Sequence, residues 1–234
     1  MLVYADNGLV DPWLVSQIVV EHTESISPLV ALQPVYMPPY SAAKMVASIG
    51  FLHGRRLWLN MVAGGFPKDL LALGDTTPHD ARYERLMEYT TILQSLLRGG
   101  EPLTFEGKHY QVRGLTLSPR LPEDLFPEIV ISGSSPSGAA AARAVGATTV
   151  VYPKPTGEEL AIAAESGGGR GGIRVGIIAR ESGEEAWRVA HSRFPESRAG
   201  RITHHLAMKM SDSQWHRQLS EVAEHPSDPD DPYW

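Results

Sequence analysis

The chain has 234 residues, of which 42% are hydrophobic and 21% charged, with a formal net charge of -6 and no cysteine. That length accommodates a large α/β core, while the acidic balance argues against a nucleic-acid surface and the missing cysteines exclude disulfides, thiolate metal sites and a cysteine nucleophile. No apolar run approaches a membrane span and no secretory leader is visible, so the expectation is a soluble, cytoplasmic protein.

Apolar runs alternate with helical patterns along the chain, as in βαβ units on a parallel sheet. Leu2 to Ala5 reads as a strand, and Trp13 to Val20 as a helix whose start is marked by Asp11 and Pro12. Pro28 to Gln33 is the next strand, and Pro39 to Leu52 the next helix, with Ala42, Ala43, Val46, Ile49 and Phe51 on or near one face. Arg56 to Val62 makes a third strand and runs into Ala63-Gly64-Gly65, where the side chains vanish and a ligand could approach the backbone.

Thr77-Pro78-His79-Asp80 reads as a helix start with a threonine cap and proline next. Leu86, Tyr89, Thr90, Leu93, Leu96 and Leu97 follow at helical spacing, and Gly99-Gly100 ends the run. Leu103 to Val112 reads as a hairpin turning at Glu106-Gly107-Lys108, an antiparallel excursion in the alternation. The alternation then resumes with strand Glu128 to Ser132, helix Pro136 to Val145, strand Ala147 to Tyr152 and a helix from Glu158. Gly167 to Gly172 reads as a linker before a strand Ile173 to Ala179; Glu184 to Arg193 and Ser213 to Glu224 read as helices. The three prolines of His225 to Trp234 preclude regular structure there.

About six parallel strands emerge, against the eight of a closed barrel. The expected architecture is therefore an incomplete (β/α)8 barrel of TIM type over residues 1–224, carrying a small β-hairpin insertion and followed by a tail, 225–234. The turn between Ser132 and Pro136 has two readings: Ser135 caps the helix ahead of Pro136, or Gly133, Ser134 and Ser135 offer amides and hydroxyls to a phosphate at the helix's positive end. His204, His205 and His216 lack partners at metal-ligand spacing, and no Gly-x-Ser-x-Gly elbow occurs, so neither a metal nor a serine nucleophile is expected.

Four segments in order, Trp58-Leu-Asn-Met-Val-Ala-Gly-Gly65, His79-Asp-Ala-Arg-Tyr-Glu84, Phe105-Glu-Gly-Lys-His-Tyr110 and Ile131-Ser-Gly-Ser-Ser135, resemble the bacterial luciferase-like family of flavin-dependent monooxygenases, in particular its alkanesulfonate and long-chain alkane branch. The resemblance runs from Leu2 to about Trp187. It implies a TIM barrel whose first and last βα units lie outside this sequence. It also implies reduced FMN supplied by a partner flavin reductase, dioxygen, a small organic substrate, and self-association into an oligomer; the deazaflavin F420 is the alternative cofactor.

On that resemblance Gly133, Ser134 and Ser135 hold the flavin phosphate, Asn60 meets the ring edge, Val62 and Gly64 lie beneath the ring, and Tyr83 and Asp6 sit near the cofactor. His79 and Arg174 are the candidate catalytic residues, with Arg82 a possible cation for phosphate or substrate. Gly176 and Leu9 stand where the sulfonate branch has histidine and cysteine, which weighs against sulfonate as substrate.

Overall fold

Six short strands hydrogen-bond side by side in chain order, every pair parallel. In this computed structural model, which describes residues 1–132, 135–151, 171–174, 177–193, 200, 202 and 206, they are β1 (Leu2–Val3), β2 (Leu29–Leu32), β3 (Trp58–Met61), β6 (Glu128–Ser132), β7 (Thr148–Val151) and β8 (Gly171–Ile173). Helix α1 (Pro12–His22) crosses from β1 to β2, α2 (Pro39–His53) from β2 to β3, and α5 (Pro136–Val145) from β6 to β7. Between β3 and β6 come a short α3 (Pro67–Ala72), the long α4 (His79–Arg98) and a separate antiparallel hairpin, β4 (Leu103–Glu106) with β5 (Gln111–Leu115). A last described helix, α6, spans Gly183–Arg193. Six neighbouring parallel strands with helical crossovers are the expected incomplete barrel, and the hairpin is the expected insertion.

Both faces of such a sheet are covered, so its strands are nearly continuous apolar runs, and alternate residues choose the layer they join. Val30, Leu32, Leu59, Met61, Ile129 and Ile131 enter one cluster with the helices, together with Ala42, Ala43 and Val46 of α2 and Leu86, Tyr89 and Leu93 of α4. Every residue of the α4 stripe read from the sequence is buried. On α2 the stripe departs at one place: Phe51 is exposed, because it lies past Ile49 and Gly50 on the helix's outward side. Gly50 is the closest approach on the inner side, where a Cβ would stand 2.5 Å from Leu121.

Helix ends follow local chemistry. Asp11 Oδ1 accepts from the amides of Trp13 and Leu14, and Pro12 occupies the first turn of α1. Arg55 donates to the carbonyls of Val20, Thr23 and Ile26, closing the far end of α1. The start of α4 lies one residue later than the spacing suggests. Pro78, not Thr77, takes the capping position, with no side-chain cap bond, because the amide and hydroxyl of Thr77 both donate to Asp75 Oδ1 (3.0 and 2.5 Å). Asp75 Oδ2 in turn accepts from Arg85 of α4 at 2.6 Å.

Two other readings are corrected. Gly171 and Gly172 belong to β8 rather than to a linker, and residues 177–180 are not strand. Gly172 pairs with Val150, and a Cβ there would lie 3.3 Å from that valine's side chain, so glycine permits the close pairing. Helix α3, absent from the sequence reading, carries its own signal in Pro67 and Asp69 of its first turn. The helices expected from Glu158 and from Ser213 to Glu224, the histidines 204, 205 and 216, and the tail 225–234 lie outside the described residues.

The hairpin tip is tied to α4 by one carboxylate. Glu88 accepts from the backbone amides of Lys108 (2.8 Å), His109 (2.8 Å) and Tyr110 (3.0 Å), and Lys108 Nζ donates to Glu84 at 2.7 Å. Gly107 is required beneath it, since a Cβ would meet Glu88 Oε2 at 2.4 Å. Replacing Glu88 with Ala strands three donors and should cost roughly 1–3 kcal/mol, with faster hydrogen exchange at residues 108–110. Unchanged exchange at those amides would mean that packing alone holds the tip.

Asp75 offers a second check. Burial pushes its carboxyl up, but the bonds from Arg85 and Thr77 and the Arg85 charge outweigh it and hold the group at about 2, against a reference of 3.8. A lowered folded-state value means that the stabilisation is complete above about pH 4 and disappears as pH falls through 2. It is on the order of 2 kcal/mol. In urea melts from pH 7 to pH 2, Asp75→Asn should be less stable than wild type by at least that amount near neutrality, and the gap should narrow only below pH 4; a gap independent of pH contradicts the assignment.

Candidate active site

The carboxyl ends of the strands open on one cleft of about 250 Å3. This is the end of an α/β barrel at which loops and strand tips bring together groups from distant parts of the chain. Tyr4 and Asp6 follow β1, Gln33 and Tyr36 follow β2, and Asn60 and the run Val62–Gly65 come from β3. Ser132 and Ser135 come from β6 and the turn after it, Arg174 follows β8, and His79 and Tyr83 reach in from the first turns of α4.

Of the ten residues singled out from the sequence, Asp6, Asn60, Val62, Gly64, His79, Tyr83, Ser135 and Arg174 all line this cleft. Gly133 and Ser134 lie outside the described residues. Arg82 is buried at 3% exposure and is not among the lining residues, so it does not present a cation to the cleft. The next residue of the same helix, Tyr83, lines it instead.

Asn60 is 6% exposed, and its Oδ1 accepts from the Ser132 hydroxyl at 2.9 Å. β3 and β6 pair with Asn60 opposite Val130 and Met61 opposite Ile131, so Ser132, two residues beyond Val130, shares the inner face with Asn60. With Oδ1 engaged as the acceptor, the amide's remaining polar group is the Nδ2 donor. Sequence reading missed Ser132 because serine at a strand end carries no signal without a partner, and the partner lies 72 residues away.

Ser135 resolves the two readings of its turn in part. It is the N-cap of α5: its Oγ accepts from Gly138 N at 3.1 Å while Pro136 sits in the first turn. A hydroxyl has one proton to donate besides its lone pairs, so capping the helix leaves the O–H of Ser135 for an anion at the same helix end.

Gly64 adopts φ +99°, a conformation that disfavours any side chain, and a Cβ there would stand 3.0 Å from both methyls of Leu70. The strand tip below the cleft is therefore bare backbone flanked by the apolar Leu2, Ala31, Ala63 and Leu70.

Other groups of the lining are polar. Tyr36 donates to Asn7 Oδ1 (2.9 Å), whose Nδ2 donates to the Asp69 carbonyl (3.0 Å). Burial, and then the charges of Asp6 and Asp69, push the Tyr36 phenol up, so it stays a neutral donor. Asp6 Oδ1 accepts from Gly8 N at 2.6 Å, making the tight turn that its sequence suggests. Arg174 lies over the Tyr4 ring, 4.9 Å from its centre, and burial lowers its pKa. His79 packs edge-on against Tyr83, with ring centres 5.2 Å apart. No cluster of three or more metal-ligating side chains occurs among the described residues.

Comparison with known proteins agrees with this geometry. A monooxygenase from Niallia circulans, BtrO, described as acting on a 4-(gamma-L-glutamylamino)butanoyl group on an acyl-carrier protein, is 38% identical over 238 residues, covering all of this chain and 69% of that protein. Among solved structures, EDTA monooxygenase from Chelativorans sp. BNC1 superposes with a TM-score of 0.70 at 20% identity, over 88% of this chain and 58% of that one. A riboflavin lyase solved with a modified FMN and riboflavin gives 0.63 at 21% identity, over 77% and 47% respectively. The chain thus spans roughly half of the solved relatives' length and matches their fold. The family model described as luciferase-like monooxygenase matches residues 1–231, and the chain belongs to that family.

Proposed function

We propose that this chain forms the flavin-binding part of a monooxygenase that uses reduced FMN and dioxygen to oxidise a small organic substrate. The observation that carries the reading is the convergence, in one cleft at the barrel's carboxyl end, of side chains from five strand ends and the start of α4. The donor set suits a flavin mononucleotide. The capped start of α5 and the Ser135 hydroxyl suit its phosphate, the bare tip at Gly64 suits a flat ring, and the Nδ2 of Asn60 suits a ring-edge acceptor. Gly133 and Ser134 belong to the same proposed phosphate turn. Solved proteins of similar fold hold a modified FMN in one case and an F420 adduct in another, so the choice between the two cofactors is left to the titration below.

When bound, reduced FMN supplies the two electrons with which dioxygen gives one oxygen atom to the substrate and one to water. The chain's share is positional. Ser135 and the α5 start bind the phosphate, Asn60 and Ser132 orient the ring edge, and Val62, Ala63 and Leu70 keep water from its face. His79 handles a proton, and the Arg174 guanidinium on Tyr4 receives an anionic or polar substrate group. Tyr83 and Asp6 complete the wall. A flavin reductase as supplier and a cytoplasmic location belong to the same proposal, for reduced flavin must reach the cleft before it reacts elsewhere; among the described residues no helix is long and apolar enough to cross a membrane. Because the Niallia circulans relative acts on a carrier-bound acyl group, carrier-tethered substrates belong in any substrate screen beside free ones.

Fluorescence titration of the full chain with FMN, beside one with F420, tests the cofactor. FMN should bind with quenching, and Ser135→Ala should weaken it about tenfold through the lost charge-assisted bond. Absence of FMN binding, or tighter binding of F420, overturns the assignment. Ser132→Ala frees the Asn60 amide to rotate and should weaken FMN about fivefold, roughly one neutral hydrogen bond, while leaving riboflavin and FMN equally affected because the phosphate is remote. A loss confined to FMN would place Ser132 at the phosphate instead.

A further inference from the structure

The start of α4 carries a carboxylate that the family resemblance does not assign. Asp80 Oδ1 lies 2.9 Å from His79 Nδ1 and 2.6 Å from the hydroxyl of Ser137, the second residue of α5. We propose that Asp80 is the positioning residue for His79: it fixes the neutral imidazole with its proton on Nδ1 and leaves Nε2 as the acceptor that His79 offers to the cleft.

A carboxylate has only lone pairs, so whatever meets its oxygen must donate. The hydrogen bond from Ser137, and then that from His79, holds the Asp80 carboxyl below its usual range, which keeps it ionised at neutral pH. Ser137 spends its one proton on Oδ1, and therefore Nδ1 of His79 must bring its own. In the neutral imidazole Nε2 is then the nitrogen left with a lone pair, and no hydrogen-bond partner meets it among the described residues. Tyr83, edge-on at 66° to the imidazole, limits rotation of the ring out of this arrangement. A carboxylate that sets a histidine's tautomer is a general device where one ring nitrogen must be kept for chemistry.

A consequence follows for the proposed reaction. In its neutral form His79 accepts a proton at Nε2 rather than donating one; a proton leaving a donor in the cleft forms a bond to Nε2, and the resulting imidazolium stays paired with Asp80 until Nε2 returns it. The same carboxylate oxygen also joins the first turn of α4 to that of α5 through Ser137, while the cap of α5 is made separately by Ser135.

This inference rests on His79 being the proton-handling group of the proposed monooxygenase, but its first test does not need flavin. In the full chain with 15N-labelled histidine, the His79 signals being assigned through His79→Gln, wild type above the histidine titration should show Nδ1 protonated and Nε2 bare. Asp80→Ala should move the proton to Nε2, whereas Asp80→Asn, whose carbonyl still accepts, should retain the wild-type pattern in large part. A wild-type spectrum with the proton on Nε2, or one unchanged in Asp80→Ala, overturns the proposal. The second test measures turnover of reduced FMN with dioxygen. Asp80→Ala should slow it at least about tenfold with FMN affinity within about twofold; weakened FMN binding with unchanged turnover would reduce Asp80 to a tie between helices. Failure of wild type to bind FMN would remove the cofactor assignment and leave the tautomer result to stand or fall by itself.

Discussion

The cleft depends on β3 and β6 lying side by side. Residues 62–127, holding two helices and a hairpin, separate them in sequence, yet Trp58 to Met61 pair in parallel with Glu128 to Ile131 without a register break. The register matters more than the proximity. Leu59 and Met61 on one strand, and Ile129 and Ile131 on the other, are all 5% exposed or less and face the helices. A slip by one residue would expel this set from the helix-facing layer and bury Asn60 and Ser132 in its place, so hydrophobic burial enforces the alignment of the polar pair. The site is thus positioned by the core, and its hydrogen bonds add orientation to a placement already made.

The same separation explains which features were legible in the sequence. Signals carried within one turn or one strand could be read: the Asp11-Pro12 and Ser135-Pro136 starts, the α4 stripe, the hairpin and the six parallel strands. Helix α3 escaped because six residues give too little periodicity to register. Gly171 and Gly172 escaped because glycine normally argues against strand, and only the neighbouring Val150 side chain shows why its smallness is needed. Thr77 was read as a cap from its residue type, but Asp75, two residues back, competes for both its hydrogen atoms. At the site, eight of the residues singled out by family likeness line one cleft, Arg82 does not, and Gly133 and Ser134 lie outside the described residues. Ser132 and Asp80 are visible only once strands and helix starts distant in sequence are brought together.

Capping and ligand binding at the start of α5 are often posed as rivals, yet the geometry of Ser135 makes them complementary. A capping serine uses lone pairs, and an anion uses its proton. The cap also fixes the rotamer of the hydroxyl, because Oγ must stay within reach of Gly138 N. A donor already held in place gives up less side-chain freedom when a ligand arrives. A single side chain thus stabilises the helix end and, under the proposed function, preorganises it for a phosphate.

A related division of labour runs across the cleft. The lining is of two kinds: apolar backbone and neutral donors at the tips of β3 and β6, and charged groups, the carboxylates of Asp6 after β1 and Asp69 in α3 and the guanidinium of Arg174 after β8. Charges that face a partly dry cleft act over longer distances than charges in water, and they bear on whatever occupies the space between. Tyr36 reports that field, since burial and the two carboxylates together keep its phenol protonated. Under the proposed function, discrimination among substrates falls to these charged groups, which sit on segments after β1, β3 and β8, where length and sequence can change without disturbing the register that holds Asn60 and Ser132 in place.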